Sequence, residues 1–290
     1  MGPIDRRDFL KAASVAAGAL ASTARAEPAK PGSGSPWKKA FMLGGTTSGP
    51  ILPVFEQLKE AGFDGVELIS PNQLDRDEVL KARDKTGLVI HGVSGGLHWK
   101  APLSSPDPAV VARGMDAIRQ EFEDVKAYGG DTVLLVPAIV TPVVSHRQAY
   151  ERSQANIRAL LPEAEKHGIK IAIEEVWNKF LLGPVEFARY IDEFQSPWVG
   201  AYFDVGNVVE YGYPQEWIRE LGPRILKIHV KEYAKPNRFS YPLGDGGEID
   251  WPAVRSALVD IGYKGWITAE VPFKNLPDIV RRMDAILQPA

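Results

Sequence analysis

From Trp37 onward, short apolar, largely β-branched runs alternate with longer segments whose apolar positions recur every three or four residues. The short runs predict strands at 38–43, 64–69, 88–93, 131–136, 170–176, 199–205, 225–231 and 265–271. They are nearly continuous in apolar character, as expected of strands covered on both faces, and the amphipathic segments between them supply the cover. One such helix is marked by Met115, Ile118, Phe122 and Val125, which share a face at helical spacing. It begins after the turn "SSPDP" and stops before Gly129-Gly130, a C-cap signal. Further helix ends precede strands at "KEAGFDG", "KTG", "KHG" and "DIGYKG", each placing Gly after the last polar residues. Pro162 falls inside the helical stretch 147–167 and predicts a kink, or the start of a second helix.

Eight strand-then-helix units in roughly 250 residues have the size and count of a (β/α)8 TIM barrel. The expected fold is therefore one α/β domain spanning 37–290. An open doubly wound sheet would want a glycine-rich phosphate loop after its first strand. "LGGTTSG" at 43–49 is glycine-rich but fits neither G-x-G-x-x-G nor a Walker A pattern.

The first residues read differently. "DRRDFLK" sets a twin arginine before a Phe-Leu pair, a small and mildly apolar run follows, and "ARA" ends at Ala26. This predicts a Tat-type export signal at 1–26, and "EPAKPGSGSP" a flexible linker at 27–36. The apolar run is too short for a membrane span. The expected partner of the precursor is the Tat machinery, and the expected location is periplasmic or secreted, with no membrane attachment after cleavage. The 290 residues carry a net charge of −3; loss of 1–26, with four basic and two acidic groups, leaves −5. An acidic chain offers no basic footprint for nucleic acid. No cysteine is present, which excludes disulfides, cysteine-zinc sites and thiol nucleophiles. Assembly into a homo-oligomer is left open.

In barrels of this kind the active site lies at the carboxyl ends of the strands. The polar residues near those ends are Glu67, His91, Glu174-Glu175, Asp204, His229, Lys231 and Glu270, with His98, Trp99, Trp177 and Asn207 in the loops beyond. Glu175, Asp204, His229 and Glu270 come from four consecutive strands and form a metal-type set. Three carboxylates and an imidazole suit Mn²⁺ first, and also Mg²⁺, Co²⁺ or Zn²⁺. Without a cation, three adjacent carboxylates repel and take up protons. Each residue has a plainer reading: His91 as a hydrogen-bonded core residue, Asp204 as a helix cap, Glu270 as a partner of Lys231, Glu67 as a backbone or substrate contact. Convergence on four adjacent strand ends favours the metal.

The same residues resemble the xylose isomerase-like barrel superfamily, especially its D-tagatose 3-epimerase and hydroxypyruvate isomerase branch. "EVWNKF" from Glu175 is similar to that branch's E-x-x-N-R-F segment, which puts Glu175, not Glu174, on the ligand position. "FDVGN" supplies Asp204, "KIHVKE" His229, and "GDGGEIDWPAVRSALVDIGYKGWITAEVP" Glu270. Two departures stand out: Asn207 where many such epimerases have His, and Lys231-Glu232 where Gly-Glu is frequent.

The resemblance implies a divalent-metal-dependent sugar isomerase or epimerase acting on a ketose or ketosugar through a metal-bound cis-enediolate. Glu175 and Glu270 would exchange the protons. Glu67, His91, Trp99, Trp177, Asn207 and Lys231 would contact the sugar, although either Trp could equally be packing. A 3-keto-glycoside β-eliminating lyase on the same site is the first alternative. A multi-zinc phosphodiesterase is disfavoured by five histidines and negative charge. A non-catalytic sugar-binding barrel remains as a rival of another class.

Overall fold

The computed structural model describes residues 36–44 and 49–288, all within the compact unit Ser35–Ala290. The export signal and nearly all of the linker lie outside the described residues. Eight parallel strands close into a barrel in chain order: β1 Lys38–Leu43, β2 Gly65–Ser70, β3 Val89–Gly95, β4 Thr132–Leu135, β5 Lys170–Glu174, β6 Val199–Asp204, β7 Ile225–Val230 and β8 Trp266–Ala269. Strands β1 and β8 pair to complete the ring. The helices that follow them are α1 Ile51–Ala61, α2 Arg76–Thr86, α3 Pro108–Tyr128, α4 His146–His167, α5 Pro184–Asp192, α6 Pro214–Leu221, α7 Trp251–Asp260 and α8 Leu276–Leu287. This is the expected (β/α)8 architecture, with strand boundaries that differ from the sequence reading by a residue or two.

Local signals explain the helix limits. Asp107 caps α3 by accepting from Ala109 N, and Ser145 with Gln148 forms a capping box on α4. Gly129 and Gly168 end these helices at φ 85° and 70°, a region that costs little only for glycine. Helix α4 runs unbroken from His146 to His167 with Pro162 inside it, so no second helix begins there. Among the described residues no helix is long and apolar enough to cross a membrane.

The strands sort their side chains by parity. Phe41, Val66, Val133, Ile171, Ile173, Phe203, Ile228 and Ile267 join the large apolar layer shared with the helices. Leu134, Ala172 and Tyr202 form a separate small cluster in the barrel lumen. On β5 the outward set is thus Ile171 and Ile173, and the inward set Ala172 and Glu174. An irregularity between β6 and β7 skips Leu226, so that Lys227 faces Tyr202 and His229 faces Asp204.

Candidate metal centre

Glu174, Asp204, His229 and Glu270 each offer one ligand atom, and these atoms lie within 4.8 Å of one another. They stand at or just past the carboxyl ends of β5, β6, β7 and β8. His229 is central: its Nδ1 is 3.1 Å from Glu174 Oε1, 3.5 Å from Glu270 Oε2 and 3.9 Å from Asp204 Oδ2. Among the described residues this is the one cluster with such ligand spacing.

The structure brings Glu174, in place of the expected Glu175, into this set. Glu174 is the last inward residue of β5, opposite Tyr202 in register, and Glu175 has the other parity. The Glu175 carboxylate turns to the end of β6, where Oε1 accepts from Asp204 N at 2.8 Å. Its Oε2 is buried without a partner. Burial first, then the neighbouring Asp204 and Glu174, hold its acid well above the usual carboxylate range. Through that hydrogen bond it braces Asp204.

Three observations test whether the cluster suits a cation. Its donors are hard oxygens and one imidazole. Asp204 commits Oδ1 to Gly206 N and Asn207 N, at 2.8 and 2.9 Å, and leaves Oδ2 buried without a hydrogen bond. Third, Glu67 Oε1 lies 3.3 Å from His229 Nε2, and a proton held there leaves the Nδ1 lone pair for a cation. The residues fit a divalent metal.

Electrostatics agree. Burial opposes charge on His229, but Glu67, Glu174 and Glu270 outweigh it and hold the metal-free imidazole well above its ordinary value. Burial lifts Glu174 to about 7 and also raises Asp204. At Glu270 burial is overcome by Lys231 and His229, which bring it down to about 2. Crowded acids that resist ionising together, around an imidazole they push toward its charged form, are what a cation would relieve.

Behind His229 the lumen is filled rather than hollow. Tyr202 OH donates to Glu67 Oε2, and its oxygen lies 3.2 Å from Thr268 Oγ1, which lies 3.1 Å from His91 Nε2. His91 stacks on Trp266 at 4.8 Å, and its carbonyl accepts from Lys227 Nζ, which also donates to Asp131 Oδ1 at 2.7 Å. Glu67 and His91 are buried and lie mid-strand, three and four residues short of the carboxyl ends of β2 and β3. In the structure Glu67 supports His229, and His91 is part of the barrel floor. The plainer reading of His91, a hydrogen-bonded core residue, describes its place, whereas Glu67 contacts the Tyr202 hydroxyl and His229 rather than backbone.

The remaining expected contacts divide. Lys231 lies between Asp204 Oδ2 and Glu270 Oε2, at 3.0 and 2.7 Å. Asn207 is buried and spends its amide on Glu175 O, while its own carbonyl accepts from Trp177 Nε1. Trp177 is half-buried, 5.0 Å from Phe239, with Arg238 over its ring at 4.7 Å. Trp99 is 52% exposed on the loop after β3. Sequence reading passed over Tyr202, Thr268 and Lys227. Each sits two residues before a ligand position on its strand, which is the signal that would have found them.

The fold and this constellation define a barrel built around a carboxylate–imidazole centre, and the chain belongs to the xylose isomerase-like TIM barrel family, whose model matches residues 55–287. It is 24% identical over 251 residues to an uncharacterized protein of Methanocaldococcus jannaschii, covering 80% of this chain and 82% of that one. It is also 24% identical over 220 residues to the L-ribulose-5-phosphate 3-epimerase UlaE of Escherichia coli, covering 71% and 77%. The solved 3-keto-D-glucoside 4-epimerase YcjR of E. coli superposes with a TM-score of 0.73 at 18% identity, covering 86% of this chain and 98% of that one.

Proposed function

We propose that the protein is a metal-dependent isomerase-class enzyme that epimerises or isomerises a ketose or ketosugar. The carrying observation is the His229 Nδ1 surrounded by Glu174, Asp204 and Glu270 at the open end of the barrel. Related proteins named as sugar 3- and 4-epimerases support the same reading. A divalent cation bound there would act as a Lewis acid, making the hydrogen next to a carbonyl acidic.

The chain's own residues do the rest. Glu174 and Glu270 flank the centre, and each keeps a second oxygen that can take or return a proton at the sugar carbon. Return from the face opposite to removal inverts that carbon; return to the neighbouring carbon isomerises the sugar. Asp204, braced by Glu175, and His229, braced by Glu67, hold fixed positions and move no proton. Incubating the Mn²⁺-loaded protein with free ketoses in D₂O tests this. Solvent deuterium at the carbon next to the carbonyl, with an epimer or isomer forming, is expected. A panel of ketoses and 3-keto sugars showing no exchange with Mn²⁺, Mg²⁺, Co²⁺ or Zn²⁺ would end the proposal.

A second reading draws on Trp177, Phe239 and Arg238, which are grouped on the loops after β5 and β7. They offer a stacking surface to a second ring. A 3-keto-glycoside deprotonated next to its carbonyl would then expel its aglycone, which leaves with the bonding electron pair and picks up a proton. Release of free aglycone separates this lyase from an epimerase. We further propose export through the Tat route, directed by the twin arginine at Arg6-Arg7. Replacing both with Lys should retain the precursor in the cytoplasm.

A further inference from the structure

The loop after β6 leaves Asp204 a single free oxygen, because Oδ1 is spent on two backbone amides. That oxygen, Oδ2, faces His229 Nδ1 and would have to serve any cation. Lys231 Nζ already lies 3.0 Å from it, without the alignment of a hydrogen bond. The same ammonium donates to Glu270 Oε2 at 2.7 Å, the oxygen of Glu270 nearest His229. Lys231 thus contacts the very atoms that a metal would use.

Its place is built. The lysine stem crosses Gly206 so closely that a Cβ there would sit 2.6 Å from Lys231 Cγ and 3.0 Å from Lys231 O. The ammonium lies 4.7 Å from the centre of the Phe239 ring, a face that attracts cations. Only 10% of the side chain is exposed, and its ammonium is enclosed between the two carboxylates and the ring. A buried ammonium so enclosed acts as a structural ion.

We propose that Lys231 is the centre's internal counter-cation: its ammonium neutralises Asp204 and Glu270 in the metal-free protein, and a divalent ion binds by displacing it from those two oxygens. The inference rests on the metal reading above and adds to it that this chain's Lys231 weakens metal affinity while stabilising the metal-free fold. The lysine stays charged throughout; what changes is its partner, and the Phe239 face remains beneath it.

The test measures Mn²⁺ binding by calorimetry on chelator-treated wild type, Lys231→Met and Lys231→Arg, with thermal melts of each form. Lys231→Met should bind Mn²⁺ tighter than wild type by on the order of tenfold or more, since its competitor is gone. Its metal-free form should melt lower than wild type and gain more from Mn²⁺. Lys231→Arg, which keeps the charge, should bind no tighter than wild type. Should metal-free Lys231→Met fail to fold, the loaded variant is titrated with a competing chelator, and slower or weaker metal loss than wild type is the supporting result. Affinity of Lys231→Met equal to or below that of a wild type that does bind Mn²⁺ overturns the counter-cation and leaves the metal centre standing. A wild type that binds none of Mn²⁺, Mg²⁺, Co²⁺ and Zn²⁺ overturns both.

Discussion

Two adjacent glutamates at the end of β5 should behave as different residues, and Glu174→Gln and Glu175→Gln are the perturbations that show it. Glu174 Oε1 is 3.1 Å from His229 Nδ1, inside the ligand cluster. A carboxylate about 3 Å from a dication gains roughly 11 kcal/mol at an effective dielectric of about 20. Desolvation of both ions offsets most of that. A neutral amide oxygen also keeps part of the coordination, so the net loss for Glu174→Gln should be about 2–4 kcal/mol. That is about 30- to 700-fold in Kd. Glu175 differs: it lies outside the ligand cluster, burial favours its neutral form, and its Oε1 serves Asp204 N. Glutamine replaces it with almost the same shape and no change of charge, so Glu175→Gln should alter the Kd by less than about threefold, or about 0.6 kcal/mol. Calorimetric titration of chelator-treated protein with Mn²⁺ reads both. Equal losses, or a larger loss for Glu175→Gln, would refute the parity assignment and restore Glu175 to the ligand position.

Three further outcomes follow from other parts of the molecule. Glu67→Gln and Tyr202→Phe loosen the hold on His229 Nε2 and should each weaken Mn²⁺ binding by about 10- to 100-fold with the fold retained, as circular dichroism and calorimetry would show. Glu121 on α3 is buried beside Gly95 and His98, with Oε2 unpartnered, and burial and then Asp124 hold its acid well above 4.5. The folded state keeps a proton there that the unfolded chain has released, so wild-type stability should fall as pH rises above about 4.5 toward the folded value. Relative to wild type, Glu121→Gln should gain up to about 1.4 kcal/mol per pH unit in that window; parallel denaturation curves would contradict it. Gly65→Ala would push a Cβ to 2.5 Å from Val89 O and 2.7 Å from the Trp266 ring, and should cost about 1–3 kcal/mol in urea melts.

Much of the fold was legible because each β-then-α unit carries its own signals. The strands stand out as apolar runs, and Gly129 and Gly168 mark helix ends as expected. Pro162 misled in part: its missing N–H interrupts the pattern on paper, yet α4 continues through it. At the site, Asp204, His229 and Glu270 were legible as polar interruptions of apolar strands. Glu175 was chosen over Glu174 by its distance from Asn178, a motif argument. Counting alternation back from Ile171 and Ile173, which face the helices, would have chosen Glu174. The depth of Glu67 and His91 was not legible. Position along a strand says how far a residue lies from the strand's end, whereas strand stagger decides its height in the barrel.

The filled lumen has a consequence for traffic. With Tyr202, Thr268, His91 and Lys227 stacked below the centre and Trp266 closing against His91, the barrel offers no passage beneath the centre. Whatever enters must leave by the way it came, so a departing product blocks the next arrival. Turnover would then be governed by the loops that carry Trp99, Trp177 and Phe239 as much as by the speed of proton exchange.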